Sequence, residues 1–94
     1  ILKTHSIDHH NWENFMSYFN EVYLGFLDRL SESYPNITST ELRLCALIRL
    51  RIPVNEISII LGISQQSVHK SRYRIRKKVK LNSEDDLDKF ISSI

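Results

Sequence analysis

Seven of the eleven residues from Lys70 to Lys80 are lysine or arginine, and none is acidic. Cations held that densely on one element do one kind of chemistry well: they bind a polyanion through charge-assisted hydrogen bonds. The run follows the segment Glu56 to Val68, which has the residue types of a helix-turn-helix. Such a unit needs a small residue where its helices cross, a glycine-tolerant turn, and apolar residues that lock the angle between helices. Ser58 is the small residue, Gly62 the turn, Ile57 and Leu61 the inner face of the first helix, and Ile63 turns inward with Val68 to complete the wedge. Ser71 stands where an apolar residue is expected. The unit and the basic run together predict a helix that enters the major groove of double-stranded DNA.

On a helical wheel of about 100° per residue, Val68, Ser71, Ile75 and Val79 share the core side of this helix. Gln66, Lys70, Tyr73 and Lys77 lie opposite, with His69, Arg74, Arg76 and Lys80 on the flanks. A solvated helix face is the usual meaning of a charge run, but such a face mixes signs to gain ion pairs. The absence of acids within this run fits phosphates as the counter-charge. Arg72 lies nearer the core edge and is expected to pair with Glu41 or Glu56 and hold the helices together.

The elements that must position this helix are also helical. With two glycines and two prolines in 94 residues, the chain has little punctuation, and the apolar spacing is that of an all-α domain. Trp12, Phe15, Phe19, Val22, Phe26 and Leu30 recur at steps of three and four, an aromatic stripe that is core, with Gly25 a point of kinking or splitting. Pro35 closes that block. Thr38 with Glu41 forms a capping-box pattern that starts a helix over about 40–50, and Pro53 sits in the first turn of the next, which ends at Leu61. Ser64 caps the basic helix, which runs to about Lys80. Ser83 with Asp86 starts a short last helix, whose apolar residues Leu87, Phe90, Ile91 and Ile94 either pack on the Trp12 to Leu30 stripe or form a dimer surface.

Charge divides the chain into three blocks. Residues 37–81 carry ten basic and two acidic residues, a local charge of +8, between two blocks of −3 each. Screening over roughly 8 Å at physiological salt lets a polyanion feel the centre independently of its flanks. The single cysteine, Cys45, lies in an apolar stretch and reads as core packing, and with no possible internal disulfide the expected setting is the cytoplasm. Apolar runs fall far short of the roughly 20 residues of a membrane span, so no membrane contact is expected from this segment. The start at Ile1, with Met16 the only methionine, implies a piece of a longer polypeptide. His5, His9 and His10 with Glu13 have a spacing that would suit a metal, but no second ligand cluster supports them, and they read as a solvated turn. No phosphate-binding loop, dinucleotide fingerprint, nucleophile elbow or paired carboxylates occur, so neither catalytic residues nor a cofactor are expected.

Several segments also match a known family in order and spacing: Ile37-Thr38-Ser39-Thr40-Glu41, Asn55-Glu56-Ile57-Ser58, Leu61-Gly62-Ile63-Ser64, Ser67-Val68 and Arg76-Lys77-Lys78-Val79-Lys80-Leu81. Over Ile37 to about Leu87 the chain resembles the LuxR/GerE-type DNA-binding domain. Together with Trp12 to Pro35 it looks like the variant at the C-termini of large sensor-type transcription regulators. Two positions depart from the family pattern: Pro53 stands where a serine or threonine cap is usual, and Ser71 where many members have histidine. The resemblance implies a tetrahelical helix-turn-helix domain over residues 37–94, with residues 1–36 an added N-terminal helical segment packing on it. It implies base reading by His69, Lys70 and Tyr73, and phosphate binding by Gln65, Gln66, Ser67, Arg74 and Lys77. It further implies a homodimer on DNA, RNA polymerase as a partner, and a larger sensor polypeptide with, in many members, a membrane anchor. Two other readings share these residues: the promoter-reading domain of an alternative sigma factor, and a helical protein-interaction module whose basic helix is incidental.

Overall fold

A computed structural model describes residues 9–94, with side chains from Asn11 onward. His5 lies outside the described residues, as do the side chains of His9 and His10. Among the described residues the chain is all-helical: α1 (His9–Val22), α2 (Phe26–Ser33), α3 (Ser39–Arg49), α4 (Val54–Leu61), α5 (Gln65–Lys78) and α6 (Leu87–Ser92). None of these helices is long and apolar enough to cross a membrane.

Local chemistry sets most of the boundaries. Gly25 adopts φ 81°, a left-handed conformation that costs other residues energy, and it splits the aromatic stripe into α1 and α2. At the start of α3, Glu41 N–H donates to Thr38 Oγ1 at 3.1 Å while Thr38 N–H donates to Glu41 Oε1 at 2.9 Å, so two otherwise unpaired donors are satisfied reciprocally. Pro53 is the residue before α4 and not part of its first turn, because its extended backbone (ψ 160°) leaves its carbonyl to accept from Ile57 N–H. Three helices end in the same way: α3, α4 and α5 each turn at a left-handed residue, Arg51 (φ 63°), Gly62 (φ 70°) and Lys80 (φ 62°). The amide of the following residue reaches back to Leu47, Ser58 and Arg76 respectively, the bond that ties off a Schellman motif. Lys80 thus lies just beyond α5, which stops at Lys78. α6 is capped by Asp86, whose Oδ1 accepts from Asp88 N–H and Lys89 N–H; Ser83 takes no part in that cap.

The core is built around α3, whose residues Leu44 to Ile48 are all buried. Cys45 within it is a free, fully buried thiol pushed up to about 12 by burial, the Glu41 charge adding to the effect. α1 docks on α3 through aromatic faces covered by cations: Arg43 lies 5.1 Å from the Trp12 ring and Arg49 4.7 Å from the Tyr23 ring. Val22, expected in the buried stripe, is exposed, and Tyr23 takes its place, stacked on Phe19 at 4.7 Å. The cause is helical phase within α1: at about 100° per residue Tyr23 falls in line with Trp12 and Phe19, whereas Val22 falls about 80° to one side. The apolar face of α6 is interior: Leu87 and Ile91 are buried and Phe90 packs edge-on against Tyr34 at 6.0 Å. Its neighbours include α3 and α2, where Arg29 donates to the Ile94 carbonyl at 3.1 Å, so the α6 face is covered within the chain, in one core with Phe26 and Leu30 of the stripe, and is not a free dimer surface. Each fully buried Leu or Ile here contributes roughly 1.5–3 kcal/mol.

Candidate nucleic-acid interface

α4 and α5 are joined by three residues, and the residues at their crossing explain how they sit together. Ser58 is buried against α5, and its Oγ donates to the Asn55 carbonyl at 2.8 Å, so a polar side chain occupies the crossing without an unsatisfied group. Ile57 on α4 and Val68, Ile75 and Val79 on the α5 side are buried, with Ser71 half-buried among them. Leu61 is half-buried and Ile63, 40% exposed, lines a cleft with Leu44, Leu61 and Ser71, so Ile63 covers the edge of the wedge and is not buried in it. Bonding of its amide to the Ser58 carbonyl ties the backbone of Ile63 to the turn. Ser64 then caps α5, accepting from Ser67 N–H at 3.0 Å and donating to Ser67 Oγ at 3.0 Å.

Tertiary contacts divide the seven cations of the basic run into two sets. Lys78 Nζ donates to Glu41 Oε1 at 2.7 Å and to the Asn36 carbonyl at 3.0 Å. Arg76 donates to the carbonyls of Asp85 at 2.8 Å and Asn82 at 2.6 Å, and so fastens the loop before α6. Arg72 pairs with Asp88 at 2.9 Å, not with Glu41 or Glu56, because α6 folds across the α5 edge and brings Asp88 nearer. The run therefore draws part of its counter-charge from acids distant in sequence. Burial pushes the Glu41 carboxyl up, but the hydrogen bonds from Lys78 and Thr38 and the Lys78 charge outweigh it and hold the group below its ordinary value.

The remaining cations face solvent. Lys70, Arg74, Lys77 and Lys80 are exposed, as are Gln65, Gln66, His69 and Tyr73. Ser67 is half-buried and engaged with Ser64. Arg74 lies at the rim, donating to Ser71 Oγ at 3.0 Å with Glu41 Oε2 3.8 Å from its Nε. Lys77 Nζ sits 5.4 Å from the centre of the Tyr73 ring. Gln66, His69, Lys70, Tyr73 and Arg74 line one shallow hollow along the outward face of α5. Comparison of the chain with models of known families, with curated proteins and with solved structures finds no match.

Of the residues expected to touch DNA, Gln66, His69, Lys70, Tyr73 and Arg74 thus line one hollow, with Lys77 against Tyr73, while Gln65 is exposed at the start of α5 and Ser67 is half-buried. Sequence reading did not identify Glu41 as the hub of Lys78 and Arg74, although its capping-box position had marked it. Those contacts join residues 33 and 37 positions apart, a separation at which helical spacing carries no signal. Among the described residues no group of three or more His, Cys, Asp or Glu is arranged to hold a metal ion.

Proposed function

We propose that this chain binds double-stranded DNA sequence-specifically, with α5 in the major groove, as the output domain of a LuxR/GerE-type transcription regulator. The observation that carries the reading is the division of the basic run: Arg72, Arg76 and Lys78 are used to build the fold, Arg74 stands at the rim near Glu41, and Lys70, Lys77 and Lys80 face solvent on the side of Gln66, His69 and Tyr73. Cations that hold no other element in place are available to phosphates, and a major groove about 12 Å wide admits a single helix. In this reading His69, Lys70 and Tyr73 face base edges, and Gln65, Ser67, Arg74 and Lys77 contact the backbone. RNA polymerase and a larger sensor polypeptide belong to the same proposal. A homodimer would have to pair through a surface other than α6, whose apolar face is occupied.

The experiment is fluorescence anisotropy of labelled duplex DNA, with a random duplex as competitor and a salt series, after selection of bound sites from a random library. The expected result is an enriched motif bound about 1,000-fold or more tighter than random duplex, with affinity falling as salt rises. Failure to bind duplex DNA at low salt would overturn the reading.

A further inference from the structure

Within the hollow on α5, Gln66 differs from its neighbours in carrying no charge. Its side chain is exposed and has no hydrogen-bond partner among the described residues, since the cap of α5 is completed between Ser64 and Ser67. It lies in line with Lys70 and Tyr73 on the outward face, whereas Arg74 is drawn to the rim by Ser71 and Glu41. A neutral amide adds little to phosphate binding where cations already surround it. It does present one donor and one acceptor side by side, the pattern that matches N7 and N6–H of adenine in the major groove. We infer that Gln66 is a base-reading residue that selects an adenine, on the same site as a guanine selected by Lys70. This inference rests on the DNA-binding reading and replaces the phosphate role that family resemblance implies for Gln66.

Geometry also sets the spacing. Four residues of helix advance about 6 Å, and stacked bases about 3.4 Å, so for a helix lying along the groove the adenine and guanine fall about two base pairs apart.

The test is selection of bound duplexes from a random library with the full chain and with Gln66→Ala and Gln66→Arg, followed by affinity measurements on selected and random DNA. Gln66→Ala should lose about tenfold or more on the selected site, lose preference at the adenine position alone, and bind random duplex within about twofold of wild type. Gln66→Arg should change that position from adenine to guanine. A Gln66→Ala chain that weakens on both DNAs equally and keeps every base preference would overturn the inference, making Gln66 a backbone contact while the DNA-binding reading stands. A wild-type chain that enriches no sequence would overturn both together. Melting curves of both variants should overlay that of wild type, because the side chain is exposed.

Discussion

Lys77 and Lys78 are adjacent, identical in type and expected to behave in opposite ways when each is replaced by alanine. Lys78 reaches inward to Glu41, whose side chain is only 7% exposed. Removing one partner of a buried ion pair leaves the other charge poorly compensated, at a cost of about 3–5 kcal/mol where burial is complete. Glu41 keeps its bond from Thr38 N–H, and Lys78 is itself 28% exposed, so the lower figure of about 2 kcal/mol is appropriate. For a domain of this size that corresponds to a fall in Tm of about 8–16 °C. Lys77 is exposed, with its Nζ over the Tyr73 ring, and Lys77→Ala should melt within about 2 °C of wild type. Salt dependence should divide the pair the other way. With Lys70 at base edges, Arg74, Lys77 and Lys80 remain for phosphates, giving a slope of log K against log salt of about −3 per chain, against about −6 if all seven cations were used. Over a fourfold rise in salt these slopes mean losses of about 60-fold and about 4,000-fold respectively. Lys77→Ala should reduce the slope by about one unit, and Lys78→Ala should leave it unchanged at temperatures where the variant is folded. Circular-dichroism melts and anisotropy titrations across a salt series measure both. A Lys78→Ala variant that melts like wild type and loses a unit of slope would refute the division of the basic run.

Gly62→Val places a β-branched residue at φ 70° and should lower stability by about 2 kcal/mol or more, read as a lower Tm; unchanged melting and DNA affinity would mean the turn tolerates other conformations. Because the folded-state value of Glu41 is depressed, its contribution is present above its ordinary 4.5 and is lost as pH falls through the folded value. Wild type should therefore lose Tm more steeply than Glu41→Gln on acidification below about pH 5, and parallel profiles would contradict this account. Cys45 should resist iodoacetamide at about pH 8 while the chain is folded and react fully in denaturant, since burial and a thiol at about 12 leave almost no accessible thiolate. Rapid alkylation of the native protein would place Cys45 nearer the surface.

How much of this molecule its sequence determines depends on the range of the interaction. Contacts spanning three to five residues were legible: the Thr38 and Ser64 caps, the left-handed turn at Gly62, and the wheel that separates Val68, Ile75 and Val79 from Gln66, Lys70, Tyr73 and Lys77. Each follows from backbone geometry and one side chain, so residue type and spacing suffice. Val22 left the stripe because a spacing of three or four is only an approximation to the 3.6-residue turn, and after ten residues from Trp12 the error had grown to about 80°, which put Tyr23 in line instead. Which cations of the basic run are spent on the fold was decided by tertiary structure alone. Glu41 and Asp88, and the carbonyls of Asn36, Asn82 and Asp85, reach α5 only after α3 and α6 have packed around it. The apolar face of α6 was equally undecided until then, because an amphipathic helix shows that one face must be covered, while only the packed chain determines what covers it.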